Sequence, residues 1–168
     1  MGLHWLMLLL LVAVFAAMEL SDGFPKGSDT RASLKTLHFT LGLTVFTLVW
    51  VRLIAKLVSP APLIHPPIAR WQEVTAKVVQ ALLYLLMIAM PLLGWLMLSA
   101  SGKLIPFYGW QLPALITENK GLVETIKEIY EIGASAIYVL VGIPAAAALY
   151  HHYFVRDNTL LHILPERA

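Results

Sequence analysis

Histidine is the residue type in this sequence with the clearest capacity for chemistry, because neutral imidazole is a common metal ligand. His4 and His38 each stand at the start of a long apolar segment. At such positions they are either ligands or interfacial histidines without a chemical role, and spacing alone leaves both interpretations open. No serine–histidine–carboxylate arrangement, glycine-rich phosphate loop or zinc spacing in the sequence predicts another kind of catalytic site.

The composition indicates a membrane protein. Hydrophobic residues make up 59% of the 168 residues and charged residues only 13%, whereas soluble domains have about a quarter of their residues charged. The absence of cysteine excludes disulfides, a thiolate catalyst, iron–sulfur clusters and covalent c-type haem. The net charge of +2 and the dispersed basic residues argue against a nucleic-acid partner.

Four apolar segments are long enough to cross a bilayer, which takes about 20 residues of helix. Joined by three loops, they predict an all-α integral membrane protein, a four-helix up-down bundle that forms one domain over residues 1–168. A secretory signal peptide is the alternative for the first segment, but no Lys or Arg precedes its apolar run. The expected spans are about 3–20, 37–57, 78–98 and 126–153.

The segments between these spans are predicted as loops. Residues 21–36 are polar and contain Gly and Pro, and residues 59–70 are too rich in proline to be helical throughout. Residues 99–124 form a longer predicted loop, whose aromatic side chains are suited to the membrane surface: Phe107, Tyr108 and Trp110.

The distribution of basic residues gives little information on orientation. With four spans, six of the 12 Lys and Arg residues fall on each side of the membrane. Arginine alone favours the side that carries both termini, and this weakly predicts cytoplasmic termini.

Seven motifs occur in order along nearly the whole chain: HW at 4–5, AMEL at 17–20, FPKG at 24–27, LHFTLG at 37–42, VRL at 51–53, ALLYLLMIAMPLLGWLM at 81–97 and AAALYHHYFVRDNTLLHILP at 146–165. Together they resemble the bacterial cytochrome b561 family, and the last of them is most similar to the branch that includes the superoxide oxidases. The resemblance implies four inner-membrane helices with cytoplasmic termini, two b-type haems stacked across the bilayer and electron exchange with quinone, with superoxide as a further redox partner.

The same resemblance implies which residues hold the haem irons. His4 and His38 match the ligands at opposite membrane faces. Their partners in the family lie 14 residues apart on the fourth helix, about 21 Å along its axis, and here these positions are Tyr130 and Pro144. Tyrosine can ligate haem iron as phenolate, so Tyr130 is a candidate ligand opposite His38, whereas proline has no side-chain donor.

Other positions are also related to this expectation. Two histidines usual in the third helix are replaced by Lys77 and Gln80, which we expect to fill the spaces between helices only in part. His151 or His152 is an alternative replacement ligand, or else a solvated interfacial residue.

Two further residues each have two interpretations. Arg52 pairs with haem propionates or extends its side chain to the headgroups. Gly42 leaves room for the edge of a macrocycle or for a close helix contact.

Three functions therefore follow from the sequence. The first is a haem b electron carrier that exchanges electrons with ubiquinone, with superoxide as a candidate donor. The second is a relative with one haem. The third is a haem-free four-helix scaffold, degenerate or deliberately altered, in which Tyr130 and Pro144 replace the expected ligands.

Overall fold

A computed structural model describes residues 2–58 and 70–150 of the chain. In these residues it has four long helices and one short β-hairpin, and all four helices are long and apolar enough to cross a membrane. The predicted all-α membrane bundle is thereby confirmed. The helices are α1 (Gly2–Asp22), α2 (Asp29–Val58), α3 (Arg70–Ala100) and α4 (Lys120–Tyr150), and the hairpin consists of β1 (Ile105–Phe107) and β2 (Trp110–Leu112).

The first loop is shorter than predicted, because α2 begins at Asp29 and not near residue 37. The hydroxyl of Ser28 accepts a hydrogen bond from the backbone N–H of Arg31 at 3.3 Å, which caps the helix. Arg31 in turn donates to the Phe24 carbonyl at 2.8 Å and to Asp22 at 2.7 Å. The polar residues that suggested a loop thus serve as the capped first turns of a helix that extends beyond the apolar span.

The helices pack in chain order, α1 on α2, α2 on α3 and α3 on α4. The main cluster of buried side chains lies among the first three helices and comprises Met7, Val14, Val45, Val49 and Met87. Within the described residues, the backbone of α4 packs closely only against α3. The bundle is therefore open at the backbone level between α4 and the pair α1–α2.

Small residues set the approach of α4 to α3. A Cβ atom added at Gly133 would collide with the Sδ atom of Met90, and one added at Gly94 would contact the rings of Tyr130 and Phe39. Both glycines thus allow the larger side chain opposite them to lie against the helix backbone, as small residues do in membrane helix pairs.

Both long helices on this side contain a proline, and neither is interrupted by it. Helix α3 continues through Pro91 and α4 through Pro144. In α4 the proline lacks the N–H that would bond to the carbonyl of Leu140.

The predicted loop 99–124 contains a structured element that sequence reasoning missed. Strands β1 and β2 pair antiparallel with Phe107 opposite Trp110, so that Tyr108 and Gly109 form a two-residue turn. Both turn residues have positive φ, 47° and 83°, as a type I′ hairpin turn requires. The helix α4 then begins at Lys120, after the side chain of Asn119 accepts from the N–H of Leu122 at 3.3 Å.

The hairpin is attached to one end of the bundle. Thr44 and Tyr108 hydroxyls lie 3.0 Å apart, and Thr40 donates to the carbonyl of Pro106 at 3.4 Å. Ile105 is buried with Leu43 of α2 and Leu98 of α3. The hairpin thus covers the end of the bundle where α2 begins and α3 ends, with Trp110 78% exposed on its outer side.

Replacing Gly133 tests the α3–α4 contact. We expect Gly133→Val to lower the free energy of unfolding by about 1–3 kcal/mol, because overpacking forces Met90 or the helices apart. Denaturation of the purified protein in detergent measures this loss. Gly142→Val is the matched control in the same helix, since a Cβ atom there meets nothing within 4 Å; an equal loss in both variants would attribute the effect to helix propensity alone.

Candidate functional site

His38 of α2 is buried and uses both ring nitrogens. Its Nδ1 atom lies 2.8 Å from the carbonyl oxygen of Val14 in α1, and its Nε2 atom lies 3.0 Å from the hydroxyl of Tyr130 in α4. Because a carbonyl only accepts, Nδ1 carries the hydrogen and donates it to Val14, while Nε2 accepts from Tyr130. The structure thus places His38 beside Tyr130, the residue at the position that the family resemblance implied for its partner, and the Nε2 atom faces the bundle interior.

A cavity of about 150 Å³ lies beside this pair. Its walls are mostly apolar and come from all four helices and the hairpin, with Leu11, Gly42, Met87, Met90, Ala134 and Ile137 among the lining residues. A Cβ atom at Gly42 would meet nothing within 4 Å, so the glycine leaves open space towards its surroundings and not a close helix contact. Of the two interpretations of Gly42, the structure supports the one that leaves room.

Helix α1 reaches α4 through side chains only. The ring of Phe15 lies 4.5 Å from that of Tyr138, and the Tyr138 hydroxyl donates to the carboxylate of Glu19 at 3.0 Å. These three residues border the same cavity. Phe15 and Tyr138 were missed by sequence reasoning, although Tyr138 is the one aromatic residue between Ile132 and Leu149 in a helix otherwise rich in small residues.

His4 lies near the other end of the bundle and has a different partner. A terminal nitrogen (Nη) of the Arg52 guanidinium lies 3.0 Å from His4 Nδ1, and Arg52 Nε donates to the hydroxyl of Tyr84 at 3.2 Å. Since guanidinium only donates, Nδ1 of His4 is the acceptor and Nε2 carries the hydrogen of the neutral ring. His4 is therefore held in the opposite tautomer from His38.

The two polar residues expected to fill spaces between the helices only in part have polar partners. Lys77 forms an exposed ion pair with Glu73 at 2.6 Å, and the half-buried Gln80 accepts a hydrogen bond from Lys56 of α2 at 2.7 Å. Neither residue borders the cavity beside His38. Gln80 thus links α3 to α2, and Lys77 pairs within its own helix. The candidate ligands His151 and His152 lie outside the described residues.

The site thus consists of two histidines on successive helices and a cavity between α2 and α4. Residues 1–166 of the chain match the family described as Prokaryotic cytochrome b561. The chain belongs to this family. Members of the cytochrome b561 family are membrane b-type cytochromes that take part in electron transfer and bind haem b.

Curated relatives support this assignment over the whole chain. "Cytochrome b561 homolog 1" of Escherichia coli strain K12 is 40% identical over 98% of this chain and 94% of its own length. "Probable superoxide oxidase CybB" of Yersinia pestis is 32% identical over 99% of this chain and 93% of its own length. "Cytochrome b561 homolog 2" of E. coli is 25% identical over 96% and 86%, respectively.

The side chains at the His38 end have suitable ligand atoms for one haem but leave too little space for it. A metal-ligating histidine commonly donates its second ring N–H to a carbonyl, as His38 does to Val14. His38 and Tyr130 would hold a haem iron together only after their direct contact of 3.0 Å had opened, because one metal–imidazole bond alone is about 2 Å long. The cavity of 150 Å³ is also below the roughly 300–1,000 Å³ of ordinary ligand pockets, so binding a macrocycle requires outward movement of α4.

The His4 end does not fit a cytochrome b561 haem. Nδ1 of His4 accepts from Arg52, and the hydrogen on Nε2 would have to move to Nδ1 before Nε2 could bind a metal. The corresponding position on α4 is Pro144, which offers no side-chain donor.

Removal of the Tyr130 hydroxyl tests the buried contact. We expect Tyr130→Phe to cost about 1–3 kcal/mol of unfolding free energy, because the Nε2 acceptor of His38 loses its donor inside the bundle. Tyr138→Phe removes a hydroxyl from a residue that is 50% exposed, and we expect at most about 1 kcal/mol. Equal losses in denaturation experiments on both variants would contradict a special role of the His38–Tyr130 bond.

Proposed function

We propose that this chain is an electron carrier of the bacterial inner membrane that holds one haem b at the His38 end and exchanges electrons with quinone. The observation that carries this proposal is the fixed orientation of His38, whose Nδ1–H is bound by Val14 and whose Nε2 faces the cavity. A bound haem would supply one-electron oxidation and reduction. The name of the Y. pestis relative supports superoxide as a candidate electron donor.

The residues around His38 have separate roles in this proposal. The carbonyl of Val14 fixes the ring and increases the basicity of the nitrogen that would bind iron. Gly42 provides the space that a macrocycle edge would occupy. Tyr130 would be the second residue to hold the haem iron, and with its hydrogen retained it is a hydrogen-bond donor to His38.

Quinone chemistry also requires a group that exchanges protons, and Glu19 is suited to it. Its carboxylate is exposed and accepts a hydrogen bond from Tyr138 at the opening between α1 and α4. A lipophilic ring that approaches from the bilayer meets this opening, because the two helices touch there only through side chains.

A haem-free bundle is the second candidate function. It is favoured by the direct hydrogen bond of 3.0 Å between His38 and Tyr130, which occupies the lone pair that iron would use. In that case the pair has a structural role, since it joins α2 to α4, and the chain keeps the scaffold of its family without the redox cofactor.

An absorption spectrum of the purified protein, oxidised and then reduced with dithionite, distinguishes the two functions. For the electron carrier we expect reduced α and Soret bands, loss of these bands in His38→Ala, and their retention in His4→Ala. The reason is that His38 has Tyr130 as a candidate partner, whereas the corresponding α4 position for His4 is Pro144, which has no side-chain donor. Wild-type protein that is folded but shows no haem bands after expression with added haem would establish the haem-free alternative. Retention in His38→Ala with loss in His4→Ala would contradict the assignment of the site.

We further propose that both termini lie in the cytoplasm. The contact of His4 with Arg52, and of Lys56 with Gln80, places the start of α1, the end of α2 and the start of α3 at one end of the bundle. An even number of spans puts both termini at that end, and the family resemblance assigns it to the cytoplasm.

A pair of reporters fused after Ala168 tests this orientation. We expect a fluorescent reporter that works only in the cytoplasm to be active there, and a phosphatase that works only in the periplasm to be inactive. The converse pattern would mean that the bundle is inverted or that the first span is removed.

A further inference from the structure

The end of the bundle that carries His4 gathers several hydrogen-bond donors from three helices. Arg52 of α2 contacts His4 of α1 and Tyr84 of α3, and its guanidinium carbon lies 5.9 Å from the centre of the Tyr84 ring. The ammonium group of Lys56 lies 5.4 Å from the same ring and donates to Gln80. We call His4, Arg52, Lys56 and Tyr84 the basic cluster.

Among the contacts of residues 2–58 and 70–150, the basic cluster has unused donors and an excess of positive charge. Arg52 uses Nε and one terminal nitrogen in its described contacts, so further N–H groups are available. The hydroxyl of Tyr84 and Nδ1 of His4 both accept from Arg52, which leaves the Tyr84 O–H and the His4 Nε2–H to donate. All four side chains can therefore donate hydrogen bonds, and a ligand that only accepts them matches the cluster.

No carboxylate in the described part of the chain forms a salt bridge with Arg52 or Lys56. Arg52 is also half-buried among the helices, where a positive charge is costly unless an anion lies beside it. The cation–π contacts with Tyr84 compensate for part of this cost, but they bring two positive charges to one ring. An anion that bridges Arg52 and Lys56 would relieve their repulsion.

Tryptophans near the basic cluster indicate the depth at which it lies. Trp5 follows His4, Trp50 precedes Arg52 by two residues, and Trp71 is the second residue of α3 at the same end. Their side chains are 36%, 45% and 69% exposed, respectively. Exposed tryptophans of membrane helices concentrate at the headgroup level, so the phosphates of the surrounding lipids lie at the height of the basic cluster.

We propose that the basic cluster binds the phosphate of an anionic lipid headgroup. The phosphodiester oxygens accept hydrogen bonds from Arg52, His4 and Tyr84, and the negative charge lies between Arg52 and Lys56. Basic pockets between membrane helices are a known type of site for such headgroups. The α4 residue at this end is Pro144, which has no side-chain donor, so the cluster lacks a second ligand for a haem. Its positive charge is suited to an anionic lipid instead.

Native mass spectrometry of the full-length protein tests this site. The protein is released from detergent in the presence of phosphatidylglycerol, phosphatidylcholine or inorganic phosphate. We expect the wild-type protein to bind phosphatidylglycerol, and to bind phosphatidylcholine at least tenfold more weakly. We expect the Arg52→Gln variant to bind phosphatidylglycerol at least tenfold more weakly than the wild-type protein does. Arg70→Gln is the matched control, because it removes the same charge from the exposed start of α3 outside the cluster.

Each result bears on the proposal. Equal losses in Arg52→Gln and Arg70→Gln would overturn it, since general surface charge would then explain binding. Binding of inorganic phosphate with the same dependence on Arg52, without binding of phosphatidylglycerol, would overturn the lipid assignment in favour of a free anion. If Arg52→Gln fails to fold, the exposed Lys56→Gln replaces it, and an unchanged affinity in that variant would contradict the bridging role. The readout is lipid mass, so it is independent of any haem spectrum.

Discussion

The two hydrogen bonds of His38 are the interaction on which the arrangement of the bundle interior depends. They join the carbonyl of Val14 in α1, the ring in α2 and the hydroxyl of Tyr130 in α4. Backbone packing of α4 involves only α3 in the described structure, so this chain of polar atoms is one of the few links across the open side of the bundle. In a low-dielectric interior each of these groups needs its partner, and the pair therefore fixes the orientation of the ring and the position of α4 together.

This dependence explains why the two ends of the molecule differ although both carry a histidine. At the His38 end the partner of the ring is a backbone carbonyl, which leaves the inward nitrogen basic. At the His4 end the partner is a guanidinium, which occupies the unprotonated nitrogen and adds a charge. The chemical role of each imidazole thus depends on its neighbouring group and not on its depth in the membrane. A carbonyl neighbour leaves a basic nitrogen that can bind a metal, whereas a guanidinium neighbour makes the ring part of a cationic surface.

The spans and the family were predictable because they depend on hydrophobic length and on motifs spread over the chain. The pairing of His38 with Tyr130 was implied by the resemblance, since the family's ligand positions on the fourth helix fall on Tyr130 and Pro144 in this sequence. The hairpin was not, because Tyr108 adopts a positive φ that the sequence did not signal, and the early start of α2 depends on a cap by Ser28 within a polar segment. The partners of Arg52 could not be predicted either. Its long side chain can reach several residues, and only the tertiary packing determines which of them lie near it.

The uneven packing of α4 has a consequence for biogenesis. Helices α1 to α3 already share a buried cluster around Met7, Val49 and Met87 without any contribution from α4. They can therefore associate as soon as the third span has entered the bilayer, while the last span is still being synthesised. During that interval the groove facing His38 is open to the lipid phase along its whole length, and docking of α4 through Gly133 and Tyr130 then closes it. A planar molecule that entered beside His38 before α4 docked would therefore meet no packed helices that it had to separate.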